Sequence, residues 1–208
     1  MVVNYGKLLE KKIEEITKDG TRPSLLLHAC CAPCSSYVLE YLSKFFDITL
    51  YFYNPNISPE EEFSKRLSEL GNFCRNAGYS DINILSPIYD AREFFDSVRG
   101  MESLPEGGER CKVCYELRLR HCAKAAMDEE FDYFTTTLSI SPYKNAEWLN
   151  EIGRSLEMEY GIPYLYSDFK KKNGYKRSIE LSGEYGLYRQ DYCGCIYSKL
   201  ESEKKRES

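Results

Sequence analysis

Seven of the nine cysteines lie in three short clusters, and this grouping constrains the chain more than any other feature. The clusters are Cys30-Cys31-Ala-Pro-Cys34, Cys111-Lys-Val-Cys114 and Cys193-Gly-Cys195. The N-terminal segment carries charges where a signal peptide carries its apolar core, so we expect a cytoplasmic protein. The cytosol does not maintain structural disulfides. The clustered cysteines are therefore metal ligands, redox thiols or core residues.

The composition is that of one globular domain. The chain has 208 residues, of which 42% are hydrophobic, and this suffices for a full apolar core. We expect a single domain over residues 1–200, followed by a charged C-terminal tail over 201–208 that frays. No segment approaches the ~20 apolar residues of a membrane span, so no membrane contact is expected. The formal net charge of −5 excludes a polycation that coats nucleic acid, and a polyanionic partner must meet a local basic patch.

Apolar periodicity predicts strands that alternate with helices. Strands are predicted over 24–28, 48–53, 82–85, 133–137 and 164–166, with helices between them and a final helical region from about residue 177. Ser58 is expected to cap the third helix, with Pro59 at its first position. The second helix is expected to begin at Ser35. This alternation is typical of an α/β protein with a parallel sheet flanked by helices on both faces.

The unusual residues follow the predicted strands. Segments 28–34, 53–56 and 139–145 each come after a strand. In a parallel α/β sheet the active crevice lies beyond the carboxyl ends of the strands. We therefore expect the chemistry of this protein at that edge.

The cysteine count is compatible with three kinds of site. Seven thiolates are too many for one tetrahedral zinc site and too few for two closed all-cysteine sites. One iron–sulfur cluster takes as many as four thiolates and leaves about three for a second metal or for reactive thiols. Thiol exchange needs only Cys31 and Cys34, which leaves the other clusters without a purpose. Iron–sulfur ligation explains the pattern best.

The local spacing supports metal ligation. Cys111 and Cys114 are three residues apart at a predicted helix start, where they share a face and the helix N-terminus stabilises their charge. Gly194 is expected to let the backbone approach a bulky inorganic centre closely. Cys74 and Cys122 are expected to be core thiols instead.

Five motifs span nearly the whole chain: HACCAPC, YNPNI, CxxCYELRL, SPYKN and LYRQDYCGC. In this order they resemble the cobalamin-independent epoxyqueuosine reductase family. The resemblance implies a fold similar to the nucleotide α-hydrolase (PP-loop ATPase-like) Rossmann type, and reduction of epoxyqueuosine to queuosine at the wobble position of tRNA. It also implies a four-iron four-sulfur cluster with an adjacent mononuclear iron. ATP use is not expected, because residues 28–36 contain no glycine that could cradle a phosphate.

Under this resemblance the clustered cysteines become the expected metal ligands, namely Cys30, Cys31, Cys34, Cys111, Cys114, Cys193 and Cys195. Our hypothesis is that the second motif and one cysteine of the third hold the cluster, while the first motif completes it or binds the second iron. Asp191 is a candidate metal ligand or proton donor. The expected substrate contacts are Tyr143, Lys144, Arg189 and Gln190. His28 is expected to be a structural group at a strand end.

The expected partners are the anticodon loop of tRNA and an electron donor such as ferredoxin or flavodoxin. The best basic stretch for RNA contact contains Lys170, Lys171, Lys172, Tyr175, Lys176 and Arg177. Its aromatic ring can stack on splayed bases. Two other classes of function stay open at this point, a zinc-stabilised binding module and a metal-free thiol oxidoreductase.

Overall fold

The computed structural model describes residues 3–18 and 20–207. Within them one parallel sheet is formed by β1 (Ser24–His28), β2 (Asp47–Tyr51), β3 (Asn83–Leu85) and β4 (Tyr133–Thr136). Their order in the sheet is β3-β2-β1-β4. In register, His28 at the end of β1 lies opposite Tyr51 of β2 and Thr136 of β4. All strands therefore end at the same edge of the sheet.

Eight α-helices in the described part of the chain cover this sheet. They are α1 (Tyr5–Lys18), α2 (Ala32–Leu42), α3 (Glu60–Asn76), α4 (Ala91–Ser97), α5 (Glu109–Asp128), α6 (Ala146–Tyr160), α7 (Gly174–Glu184) and α8 (Ile196–Glu207). A 3-10 turn (Thr137–Ile140) follows β4. The predicted α/β class with a parallel sheet and a C-terminal helical region is confirmed.

The two faces of the sheet carry separate apolar cores. Leu25 and Leu27 of β1 pack into the core that includes residues of α1, α2 and α3, whereas Leu26 packs with α5 and α6. Successive side chains of a strand point to opposite faces, so a strand buried on both faces is apolar throughout. Each buried leucine stabilises the fold by roughly 1.5–3 kcal/mol. Cys74 lies in the first core and Cys122 in the second, as predicted.

Two helix starts differ from the sequence-based expectation. Helix α2 begins at Ala32 instead of Ser35, because Pro33 fits a first helical turn, where its missing amide is not needed. Helix α3 has Pro59 at its N-cap, not Ser58. The amide of Ser58 donates instead to the carbonyl of Gly194 at 3.0 Å, so it joins the start of α3 to the third cysteine motif.

The predicted strand over 164–166 is reduced to a single parallel bridge between Tyr164 and Phe134. The physical reason lies in Thr135, whose hydroxyl donates to the carbonyl of Leu165 at 2.8 Å. That carbonyl is thereby occupied by a side chain and not by an amide of the neighbouring strand. The extended segment runs beside β4 without lengthening the sheet.

The C-terminal segment continues helix α8 to Glu207, and the fraying of the tail stays a prediction. Its residue Glu201 accepts hydrogen bonds from the guanidinium of Arg110 at 3.2 Å and from the amide of Glu106 at 3.0 Å. These contacts fix the helix against the start of α5. The division of the chain at residue 200 stays a prediction. None of the helices in the described ranges combines the length and the apolarity needed to cross a bilayer.

Candidate metal centre

One cavity of about 470 Å³ opens at the carboxyl edge of the sheet. It lies beyond β1 and β4, where the strand order reverses and where open α/β sheets bind their ligands. Four of the clustered cysteines line it, namely Cys30, Cys31, Cys34 and Cys193. The other three, Cys111, Cys114 and Cys195, are buried and interact electrostatically with Cys193. The structure thus brings all three motifs to one region.

The first motif forms a compact group of thiols. Its three ligand atoms all lie within 4.8 Å of one another, and the Sγ atoms of Cys30 and Cys31 are 3.8 Å apart. Cys31 is the N-cap of α2 and Cys34 lies in the first turn. A helix N-terminus favours negative charge and lowers the pKa of nearby thiols. These three cysteines could bind one metal ion.

The cavity favours a thiolate at Cys30. Hydrogen bonds from the thiols of Cys31 and Cys34 hold the pKa of Cys30 well below its ordinary value, and the charge of Arg118 lowers it further. The hydrogen bonds of Cys31 with Cys30 and Cys34 raise the pKa of Cys31. Within this motif the thiolate form is therefore favoured at Cys30.

The second and third motifs receive hydrogen bonds from backbone amides. Gly107 donates to the Sγ atom of Cys111 at 3.3 Å, and Ser198 donates to the Sγ atom of Cys195 at 3.4 Å. The sulfurs of Cys193 and Cys195 are 3.6 Å apart. The hydrogen bond between these two side chains holds the pKa of Cys193 well below its ordinary value. Amide donors of this kind stabilise thiolate ligands and tune iron–sulfur centres.

Three nearly buried cations surround the cysteines. The side chains of Arg66 and Lys144 are 2% and 9% exposed, and each has one carboxylate nearby, Glu62 at 2.7 Å and Glu106 at 3.7 Å. Arg118 is 3% exposed and donates to the carbonyl of Cys114 and to Asn54, at 3.2 and 3.4 Å. Within the described residues it has no carboxylate partner.

This donor set fits an anionic iron–sulfur group. An unpaired buried charge is costly, so the positive charge of Arg118 calls for negative charge on the neighbouring sulfurs. The Nη2 atom of Arg66 is also buried and has no hydrogen-bond partner in the part of the chain that the structure describes. Thiolates, amide donors and excess positive charge are together what such a group needs from a protein.

Sequence reasoning missed both arginines, although a signal was present. On α3, Arg66 lies three residues after Phe63 and four before Leu70, on the buried face. On α5, Arg118 has the same relation to Tyr115 and Cys122. A charged residue at a core position of an amphipathic helix must meet a compensating group. Here both arginines line the cysteine cavity.

Gly194 lies very close to the side chains of Ile57 and Arg66. Its φ is +113°, and a Cβ there would lie 2.9 Å from Ile57 and 3.0 Å from the Nη1 atom of Arg66. Arg66 Nη1 also donates to the carbonyl of Cys193 at 3.2 Å. The missing side chain therefore lets the third motif pack against α3. The close approach to an inorganic centre stays a prediction.

The predicted substrate residues and Asp191 all line the cavity. Tyr143 is 77% exposed, and Lys144 lies deeper, beside the cysteines. Arg189 donates to the hydroxyl of Ser182 at 3.0 Å. Gln190 donates to the carbonyl of Tyr188 at 2.9 Å. The structure brings the predicted set together at one opening.

His28 has the structural surroundings that were predicted. Its Nε2 atom lies 3.1 Å from the carbonyl of Tyr53, which can only accept, so Nε2 carries the proton. Its Nδ1 atom accepts from the hydroxyl of Thr136 at 2.9 Å. Asn54, next along the chain from Tyr53, donates to the carbonyl of Ala29 at 2.9 Å. These bonds fix the loops that follow β1 and β2.

The predicted basic stretch is largely neutralised by carboxylates. Lys170 pairs with Asp168 at 3.0 Å, Lys172 pairs with Glu10, and Arg177 pairs with Glu40 at 2.6 Å. Lys171 and Lys176 form no ion pair within the described ranges. Tyr175 lines the cavity. The charge available for an anionic partner is therefore smaller than the sequence indicates.

The chain is similar to proteins of one family. A family model described as "Epoxyqueuosine reductase QueH" matches residues 25–201, a range that includes all three cysteine motifs. A protein of that name from Streptococcus pyogenes serotype M1 is 45% identical over 199 residues, covering 94% of this chain and 78% of that protein. One from Staphylococcus epidermidis is 42% identical and covers 96% and 86%. One from Thermotoga maritima is 34% identical and covers 88% and 93%.

Proposed function

The chain belongs to the epoxyqueuosine reductase QueH family, and we propose that it reduces epoxyqueuosine to queuosine at the wobble position of tRNA. The observation that carries this proposal is the meeting of three cysteine motifs at one cavity with buried cations. A volume of about 470 Å³ is in the range of small-molecule sites. The cavity is thus large enough for the modified base when the wobble nucleotide is turned out of the anticodon loop.

The proposed reaction removes the epoxide oxygen. Two electrons and two protons convert the epoxide to a carbon–carbon double bond and release water. The electrons come from a donor protein of the ferredoxin or flavodoxin class. A bound iron–sulfur centre would pass electrons singly, and a Lewis-acidic iron would polarise the oxygen. Because the centre would supply this chemistry, the reaction would need neither cobalamin nor ATP.

We assign the four-iron four-sulfur cluster to Cys111, Cys114 and one cysteine of the Cys193–Cys195 pair. The adjacent mononuclear iron is assigned to the first motif. The close grouping of the first-motif sulfurs supports this division, because ligands of a single ion lie closer together than ligands of a cluster. The strand order, which matches the first four strands of the Rossmann order, supports the proposed PP-loop-like relationship.

The remaining residues of the cavity bind and orient the substrate. Lys144 holds positive charge beside the cysteines, where it attracts the epoxide oxygen as negative charge develops. Asp191 holds a proton or binds iron at the cavity wall. Tyr143, Arg189 and Gln190 contact the nucleoside at the opening. In this proposal the protein is a cytoplasmic enzyme that binds the anticodon loop of tRNA.

The test uses protein prepared anaerobically and loaded with iron and sulfide. Iron, zinc and acid-labile sulfide per chain are measured, and tRNA bearing epoxyqueuosine is converted with a chemical reductant and analysed as nucleosides by mass spectrometry. About four sulfides, more than four irons and formation of queuosine are expected. Zinc without sulfide or product would indicate the zinc-stabilised binding module. Turnover by metal-free protein would indicate the thiol oxidoreductase.

A matched pair of variants tests the ligand assignment. Cys111→Ser is expected to lose cluster sulfide and turnover. Cys74→Ala removes another buried thiol, which lies in the apolar core away from the cavity, and this variant is expected to keep both. Full cluster content in Cys111→Ser would overturn the assignment.

A further inference from the structure

Arg66 is held rigidly between two of the cysteine motifs. Its Nε atom donates to Glu62 at 2.7 Å, and its Nη1 atom donates to the carbonyl of Cys193 at 3.2 Å. The ring of Tyr192 lies beside its guanidinium, with the Cζ atom 5.3 Å from the ring centroid. Two of the three guanidinium nitrogens are therefore engaged, and the plane of the group is fixed by them.

The third nitrogen, Nη2, is buried and has no hydrogen-bond acceptor among the described residues. Leaving such a donor unpaired costs about 1–3 kcal/mol, more for a charged group. The side chain is 2% exposed and lines the cavity, so solvent at the protein surface does not supply the acceptor. The acceptor must come from what fills the cavity.

The surroundings favour an anionic sulfur over a substrate oxygen. Arg66 lines the cavity together with Cys30, Cys31 and Cys34, the three cysteines of the first motif. Its Nη1 contact places it against the backbone of the third motif as well. It lies among the ligand-bearing segments and not at the opening where Tyr143 is exposed.

We propose that the Nη2 atom of Arg66 donates a hydrogen bond to a sulfur of the metal centre and thereby raises its reduction potential. This inference rests on the proposed function, because it requires the iron–sulfur centre. Hydrogen bonds to sulfur and nearby positive charge stabilise the reduced, more negative state of such a centre. Arg66 is thus a positioning residue that makes the centre easier to reduce by its donor protein.

The test measures the midpoint potential of the loaded protein by spectroscopic redox titration. R66Q removes both the charge and the Nη2 donor. We expect the equilibrium for reduction to weaken at least tenfold, which for one electron is a shift of about 59 mV to lower potential. R75Q is the matched control, because Arg75 is an exposed arginine on the same helix and does not line the cavity. Its potential is expected to equal that of the wild type.

A second variant covers the case in which R66Q does not take up iron and sulfide. R66K keeps the charge, but its single ammonium group cannot replace the three-way contact with Glu62, Cys193 and sulfur. We expect a smaller shift in the same direction. An unchanged potential in a fully loaded variant would overturn the inference.

Steady-state kinetics separate the sulfur from the substrate as the acceptor. A rise in KM for tRNA at an unchanged potential would show that Nη2 serves the substrate, and would overturn the inference while leaving the proposed function intact. Wild-type protein that holds no acid-labile sulfide would overturn both. The two failures are therefore distinguishable in one set of preparations.

Discussion

The carboxylate of Asp191 forms an ion pair with the guanidinium of Arg206 in the last turn of α8. Asp191 lines the cavity, so this pair joins the cavity wall to the C-terminal helix. Both side chains are more than half exposed, at 51% and 63%. An exposed ion pair contributes about 0–1 kcal/mol to stability. Changing Arg206 breaks this weak pair but keeps the carboxylate of Asp191. Comparing variants of the two residues therefore distinguishes a chemical role of Asp191 from a structural one.

We predict that Asp191→Asn lowers kcat for epoxyqueuosine reduction at least about 100-fold, the lower range for loss of a general acid. Arg206→Gln breaks the same ion pair and is expected to change kcat less than about threefold, because the pair is weak. Iron per chain distinguishes the two proposed roles, since it falls in Asp191→Asn only if the carboxylate is a ligand. Equal losses of activity in both variants would mean that the ion pair itself is what matters.

The sequence predicts the sheet well because β1 is apolar at every position between Ser24 and His28, as a strand buried on both faces must be. The sequence also predicts that the cysteine motifs lie after strands or at the beginning of helices. It does not predict which long-range contacts hold them. The hydrogen bond from Arg66 to the Cys193 carbonyl joins residues that are 127 positions apart in the sequence. The amide of Ser58, just before α3, donates to the carbonyl of Gly194.

The errors have a common physical cause. The predicted cap at Ser58 and the predicted strand at Tyr164 both rest on local preferences. In the structure each is decided by a distant partner, the Gly194 carbonyl and the Thr135 hydroxyl. Such tertiary contacts override local propensity and carry no local sequence signal.

Gly194 allows a test of the packing between the third motif and α3. Gly194→Ala is expected to lower the free energy of unfolding of the metal-free protein by roughly 3 kcal/mol, because it combines strain at positive φ with overpacking against Ile57 and Arg66. Gly186→Ala is the control. Its φ is +60°, and no atom of the described residues lies within 4 Å of the added Cβ, so only the strain of roughly 1 kcal/mol is expected.

Metal content supplies the second readout for this pair. We expect iron per chain to fall in Gly194→Ala and to stay at the wild-type level in Gly186→Ala, after reconstitution under the same conditions. Urea titration measures the stability of both. If Gly194→Ala is no less stable than Gly186→Ala, the close approach to α3 does not constrain the motif.

From the lowered pKa of His28 we predict how the free energy of unfolding depends on pH. Burial, followed by the charge of Arg118, lowers its pKa from 6.5 to about 4. The folded state keeps the ring neutral while the unfolded state binds a proton below pH 6.5, so stability falls as the pH drops from 6.5 towards 4. Between pH 7.5 and 5.5 this residue alone removes about 1.3 kcal/mol from the free energy of unfolding.

The measurement is urea unfolding of the metal-free, reduced protein at those two pH values. His28→Gln keeps one donor and one acceptor but does not titrate, so its loss of stability between the two values is expected to be smaller by about 1.3 kcal/mol. His121 is the other of the two histidines, and its half-exposed ring makes His121→Gln a control for general effects of acid. An identical pH dependence in wild type and His28→Gln would contradict the assignment of a neutral, buried ring.

The RNA contact is best tested with Lys171 and Lys176, the two lysines of the basic stretch that form no ion pair with any residue the structure describes. We predict that Lys171→Glu combined with Lys176→Glu lowers the affinity for an anticodon stem-loop about tenfold at low salt. The slope of log affinity against log salt should fall in magnitude by about 1.4, the value for two lost phosphate contacts on single-stranded nucleic acid. Fluorescence anisotropy at several salt concentrations gives both quantities.

The control makes the same change of charge at the opposite edge of the sheet. Lys18 and Lys44 precede β1 and β2, so they lie at the amino ends of the strands, away from the cavity. Lys18→Glu combined with Lys44→Glu therefore alters the net charge equally but not the field at the opening. If both double variants weaken binding to the same extent, the effect reflects net charge alone, and tRNA does not approach over α7. A loss confined to the Lys171 and Lys176 variant places the anticodon loop beside Tyr175, where the cavity opens.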